Sequence, residues 1–176
     1  MGVNLNHLCG FPDPSQKGLP VIFGEPPSGV VQNFTISDHP GWKMTEIRET
    51  ITINRPVHEV FEFTLNPENT PKWVDGVAQE RANEHPAKLG TIYQSQGQDG
   101  SWIELEITGY EPNERFVMSR KDSDLHVQYT FKSTDSDGCE LEYYVWADSG
   151  KLSGPFTEQT VRRILKKLKE IIEAGR

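Results

Sequence analysis

From residue 77 to residue 148 the sequence reads as six strands separated only by turn chemistry, and one long amphipathic helix follows. The strands are predicted over 77–83, 90–97, 101–110, 115–121, 125–133 and 139–148. Asp99-Gly100, Glu111-Pro112-Asn113, Asp122-Ser123-Asp124 and Asp135-Ser136-Asp137-Gly138 divide them. These residue types favour tight turns, and connections this short make antiparallel neighbours. Ile103, Leu105 and Ile107 oppose Glu104, Glu106 and Thr108. Leu125, Val127, Tyr129 and Phe131 oppose His126, Gln128, Thr130 and Lys132, and Leu141, Tyr143 and Val145 oppose Glu140 and Glu142. A seventh strand is predicted upstream over 46–53, with Ile47, Ile51 and Ile53 on one face. Seven strands at ~4.8 Å spacing span ~30 Å, whereas a helix is ~10–12 Å across. One helix cannot cover a flat sheet of that width. The sheet must curl around it, which leaves concave apolar space at the mouth, the usual form of a small-molecule site.

The helix itself is bounded by Pro155 and Gly175. Val161, Ile164, Leu165, Leu168, Ile171 and Ile172 fall on one stripe, and Arg162, Arg163, Lys166, Lys167 and Lys169 occupy the rest. That basic run reads as a solvated face, with a partner-docking surface as the alternative. After the first strand, Arg55-Pro56-Val57 opens a short helix with Val57, Val60, Phe61 and Thr64 at helical spacing. Asn66-Pro67-Glu68-Asn69-Thr70-Pro71 allows another short turn before Trp73.

Residues 1–43 are of a different kind. They hold 6 of the 12 prolines and 6 of the 15 glycines but only five charged residues. Such density breaks regular elements, so an extended Pro/Gly-rich arm is predicted ahead of a folded domain at 44–176. Met44 is the alternative start, with the arm then an over-long upstream reading. The arm keeps two apolar runs, Val21–Phe23 and Val30–Ile36. Trp102, Tyr144 and Trp146 project from the sheet face opposite the inward set and call for a cover. Either an arm segment or a second copy of the chain, in a homodimer, would supply it.

With 18 basic and 26 acidic residues the chain carries a net charge of -8. That disfavours sequence-independent nucleic-acid binding and docking on anionic lipid, both of which need a basic surface. No apolar run approaches the ~20 residues of a membrane span, and no basic start with a continuous apolar stretch marks export. A cytoplasmic protein is therefore expected, with no membrane insertion. Cys9 and Cys139 are too few for a disulfide scaffold. His58 and His126 read as surface residues and His85 lies in a loop, so no metal site and no cofactor are expected.

The order of these features resembles a known superfamily. Ile51-Thr52-Ile53-Asn54-Arg55-Pro56-Val57-His58-Glu59-Val60-Phe61 is similar to the opening of SRPBCC, or START-like, proteins. Asn66–Trp73 resembles their short-helix segment. Gly90 at a strand opening, Tyr110-Glu111-Pro112, and Leu165-Lys166-Lys167-Leu168-Lys169-Glu170 also match. The resemblance covers roughly 46–174 and points to the polyketide cyclase/dehydrase and lipid-transport group. It implies an α+β helix-grip fold, in which a seven-stranded antiparallel sheet curls around the C-terminal helix over an apolar-ligand cavity. It does not imply one reaction, since the superfamily includes lipid carriers, cyclases, dioxygenase subunits and chaperone ATPase activators.

No nucleophile elbow, phosphate loop or metalloprotease motif is present, so any chemistry must come from polar groups facing the cavity. Glu49 shares a face with Ile51 and Ile53 and is a candidate acid or base, or else a rim carboxylate paired with an arginine. Arg120 shares a face with Phe116 and Met118 and is a candidate for a ligand carbonyl or anion, or else a solvated strand end. Tyr93, Tyr129 and Tyr143 are candidate donors within the cavity or satisfied core residues. Trp73 is placed at the mouth or in the packing. Ile51, Ile103, Leu105, Phe116 and Met118 from the sheet, with Leu165 and Leu168 from the helix, complete the expected ligand-binding wall. Binding of a small hydrophobic molecule, lipid- or polyketide-like, as carrier or sensor is the leading reading. A cyclase or dehydratase, and an assembly or chaperone-assisting module, are the alternatives.

Overall fold

The computed structural model describes residues 46–152, 154 and 156–175. Its elements are β1 (Glu46–Ile53), α1 (Val57–Leu65), α2 (Thr70–Trp73), β2 (Val77–Ala82), β3 (Ile92–Gly97), β4 (Trp102–Glu111), β5 (Arg115–Arg120), β6 (Leu125–Ser133), β7 (Cys139–Ala147) and α3 (Glu158–Ala174). The seven strands form one curled antiparallel sheet in the order β1-β7-β6-β5-β4-β3-β2. From β2 to β7 each strand pairs with its successor, as the short turns require. The exception is the step from β1 to β2, which lie at opposite edges. The chain crosses between them through α1 and α2, so these two helices close one end of the curl. This is the helix-grip α+β architecture that the family resemblance implies.

Two bulges set which side chains face inward. The β2–β3 register skips a residue between Val77 and Gln79, and the β4–β5 register shifts between Ile107 and Gly109. An extra residue turns the following side chains onto the other face. Tyr110 and Glu80 therefore point to the interior where strict alternation would send them out.

In α3 the Thr157 hydroxyl accepts from the Thr160 amide at 3.1 Å, and the Gly175 amide closes on the Ile171 carbonyl. The expected opener Pro155 lies outside the described residues. Val161, Ile164, Leu165, Leu168 and Ile172 are buried against the sheet. Arg162, Arg163 and Lys166 are exposed and Lys167 and Lys169 half-buried, yet several of these tie the helix to its surroundings. Arg162 Nε reaches Glu49 Oε1 at 2.8 Å, Lys169 Nζ donates to the Thr52 carbonyl at 2.7 Å, and Arg163 and Lys167 both meet Asp75.

The outer sheet face is organised too. Arg48 lies 4.0 Å over the Tyr144 ring, Tyr144 stacks on Trp146 at 4.8 Å, and Trp146 stacks on His126 at 4.9 Å. Arg81 covers Trp102 at 4.9 Å, although Trp102 remains 44% exposed. These rings partly shield one another. The arm segments Val21–Phe23 and Val30–Ile36 lie outside the described residues.

Candidate functional site

The two halves of the curl are filled differently. At the α1 end, Phe61 packs edge-on against Phe131 at 5.1 Å and Phe116 at 5.7 Å, with Tyr110 at 5.9 Å. Phe116 stacks on Tyr129 at 4.3 Å. Rings at these separations fill the space between sheet and helix. At the other end the strands carry Ile103, Leu105, Met118, Leu125 and Val127. These aliphatic chains do not reach across to Phe156, Thr160 and Ile164 on and before α3. A cavity of about 440 Å³ results, closed on one side by Val74 and Val77 of the α2–β2 link. At its rim Asp75 holds Lys167 at 2.7 Å and Arg163 at 3.2 Å. Those two cations hold the Asp75 carboxyl below the usual carboxylate range, the Lys167 hydrogen bond most of all.

The inner end of the cavity is polar and is built around Glu80. This carboxyl is half-buried and borders the cavity. Its Oε1 accepts from Thr70 Oγ1 at 2.6 Å, and its Oε2 accepts from Ser95 Oγ. Among the described residues it makes no ion pair. Burial raises its pKa and outweighs both hydroxyl donors. Tyr129 and Tyr143 stand beside it on the cavity wall, ring against ring at 4.9 Å and nearly perpendicular. Burial, with the Glu80 charge adding to it, pushes Tyr143 up to about 12 and Tyr129 well above its ordinary value. Both hydroxyls keep their protons at neutral pH, as tyrosine hydroxyls ordinarily do.

Of the residues expected on the wall, Ile103, Leu105, Met118, Tyr129 and Tyr143 line this cavity. Trp73, Phe116, Leu165 and Leu168 are buried in the core away from it, and Ile51 packs at the β1 edge opposite Leu141. Trp73 lies edge-on to Tyr129 at 6.4 Å, and its Nε1 has no hydrogen-bond partner among the described residues. Tyr93 is also core, its hydroxyl donating to the Leu65 carbonyl at 2.7 Å. Glu49 faces inward but toward α3, where Arg162 pairs with it. Arg120 is held by Asp122 through Nε at 2.5 Å and Nη2 at 2.9 Å. Neither lines the cavity. Glu80, Thr70 and Ser95 were not singled out by sequence reasoning. Alternation from Val77 sends Gln79 inward and Glu80 outward, and only the bulge reverses them.

A second hollow of about 490 Å³ lies by α1, walled by Phe61, Glu62, Asn66, His85, Tyr110 and Asn113. Among the described residues this mixed polar groove has no buried ionisable group, so the apolar cavity with one polar end is the stronger binding site.

A curled antiparallel sheet gripping a C-terminal helix over an interior cavity defines a START-like protein of the SRPBCC superfamily. Within that class the chain belongs to the polyketide cyclase / dehydrase and lipid transport family, whose family model matches residues 44–174. Solved structures agree in fold. A Chromobacterium violaceum protein is 18% identical with TM-score 0.56, over 73% of this chain and 98% of its own. The Aha1 dimer from Colwellia psychrerythraea is 12% identical with TM-score 0.57, over 76% and 99%. CalU16 from Micromonospora echinospora is 19% identical with TM-score 0.53, over 72% and 75%. No curated protein matches the sequence. No helix among the described residues is long and apolar enough to cross a membrane.

Proposed function

We propose that the chain binds a small, mostly apolar molecule in the cavity between β4–β6 and α3, as a carrier or sensor. The observation that carries this reading is the cavity itself. About 440 Å³ walled by Ile103, Leu105, Met118, Leu125 and Val127 lies within the usual size range of ligand pockets. Membership of a family described by cyclisation, dehydration and lipid transport supports it. Transferring an apolar ligand from water to such a wall contributes ~25 cal/mol per Å² of surface buried.

A second reading, an enzyme of the cyclase/dehydratase type, rests on Glu80. A carboxyl with a raised pKa, beside two protonated tyrosines, can exchange a proton with a bound carbonyl compound. Glu49 and Arg120, the residues first considered for that role, are each compensated by a partner and stand off the cavity.

Native mass spectrometry of gently purified full-length protein tests the binding reading. Extra mass that disappears on denaturation, and is absent from Ile103→Trp protein, is the expected result. Bare masses for the natural protein under conditions that preserve the fold would contradict it.

A further inference from the structure

Glu80 is a carboxyl bordering an apolar cavity, and among the described residues its two oxygens are met only by hydroxyls. Thr70 and Ser95 supply one donor each. No Lys, Arg or His among the described residues forms an ion pair with it. Buried carboxylates are ordinarily balanced by a cation, because the charge is otherwise costly away from water. The hydroxyls occupy part of the carboxylate's acceptor capacity and fix its orientation, leaving lone pairs for a further donor. Beside it on the same wall stand Tyr129 and Tyr143, whose rings meet nearly at right angles. A carboxylate with no cation of its own, at the polar inner end of an apolar cavity, has the composition of a site for an organic ammonium group.

Resting on the cavity-binding reading, we propose that the ligand is an apolar amine, bound with its protonated nitrogen against the Glu80 carboxylate. Its hydrocarbon or aryl body lies along Leu105, Met118 and Val127 toward the mouth. The cavity volume of about 440 Å³ accommodates a two-ring body with room to spare. Arg163 at the rim is a cation, but its side chain is 64% exposed and already paired with Asp75. Solvent and Asp75 screen it, so it is a weak barrier to an entering amine and a weak anchor for an anion. A carboxylate at the inner end meets Glu80 instead and is rejected by it or forces it to protonate.

The test is a titration of the full chain with three matched probes near neutral pH: 2-naphthylmethylamine, 2-naphthylmethanol and 2-naphthoate. The amine is expected to bind at least about tenfold more tightly than the alcohol, and naphthoate least tightly. Glu80→Gln is expected to bring the amine to within about threefold of the alcohol, while alcohol binding stays within about twofold. Retained alcohol binding shows that the variant is folded, and the ranking in the natural protein stands whether or not the variant folds. An amine no tighter than the alcohol, or an advantage that survives Glu80→Gln, overturns the proposal. Equal binding of all three overturns it and leaves the cavity-binding reading intact. Naphthoate binding most tightly also overturns it and places recognition at Arg163. Binding of none overturns it and counts against the cavity-binding reading as well.

Discussion

The same three strands build two unlike halves of this domain: one solid with aromatic rings, beside the polar groove at α1, and one hollow, walled by aliphatic chains around the apolar cavity. Toward α1, β4 offers Ile107 and Tyr110, β5 offers Phe116, and β6 offers Phe131. Toward the mouth the same strands offer Ile103 and Leu105, Met118, and Leu125 and Val127. The backbone pairing is continuous across both halves. Side-chain size along each strand, and not a break in the sheet, therefore decides where the interior is empty. Aromatic rings bridge the sheet to α1, while aliphatic chains stop short of α3.

The sharpest way to break this comparison is a matched pair of truncations. Phe116→Ala removes a fully buried ring from the solid half and is expected to cost about 3–5 kcal/mol of stability in denaturant unfolding. Met118→Ala, two residues away on the same face, borders the cavity and loses fewer contacts, so about 1–2 kcal/mol is expected. Equal losses would mean that the two halves are packed alike.

Insertions should reverse the order. Ile107→Trp forces an indole into the packed layer and is expected to cost about 1–3 kcal/mol or to prevent folding. Ile103→Trp enters open space and is expected to stay within about 1 kcal/mol of the natural protein by thermal unfolding. A large loss at Ile103 would show that the mouth is not hollow.

Glu80 sharpens the comparison through pH. Its folded-state pKa is raised above 4.5 by burial, so the folded state holds this proton more tightly than the unfolded chain. Stability from this group is fully present below 4.5 and is lost as pH rises through the raised value. Gln cannot ionise. The melting temperature of Glu80→Gln relative to the natural protein should therefore climb from acid to neutral pH, and a constant offset would show that Glu80 is not desolvated.

The smallest effect is expected at the rim. Asp75 has a lowered pKa, chiefly through Lys167, so its contribution is present at neutral pH and fades as pH falls through the lowered value. Because the group is exposed to solvent, Asp75→Asn should shift the neutral-pH melting temperature far less than either truncation, and salt should erase the shift.

Much of this fold is legible in the sequence because strand alternation and turn chemistry agree. Tyr129 and Tyr143 are assigned to the interior by period two alone, and the turns at Asp122–Asp124 and Asp135–Gly138 fix the hairpins around them. The stripe Val161–Ile172 finds α3 for the same reason. The site is less legible. Phe116 and Met118 lie on one strand face, yet one is packed and the other lines the cavity, because the docking of α1 decides and no local pattern encodes it. Glu80 is hidden by the β2 bulge, where a single extra residue inverts the face. Glu49 points inward as expected, but α3 brings Arg162 to it from 113 residues away, a pairing no local pattern can supply. On the outer face, Tyr144 and Trp146 read as rings needing a cover, yet Arg48 and His126 from the neighbouring strands stack on them.

The central claim is that ligand enters the hollow half and leaves the solid half untouched. Methyl-selective NMR of the full chain, titrated with 2-naphthylmethanol, tests it most directly. Shifts at the methyls of Ile103, Leu105, Met118 and Val127, with Val60 and Ile53 unmoved, are predicted. Shifts centred on Val60 and Leu65, or none at saturating probe, would contradict the account.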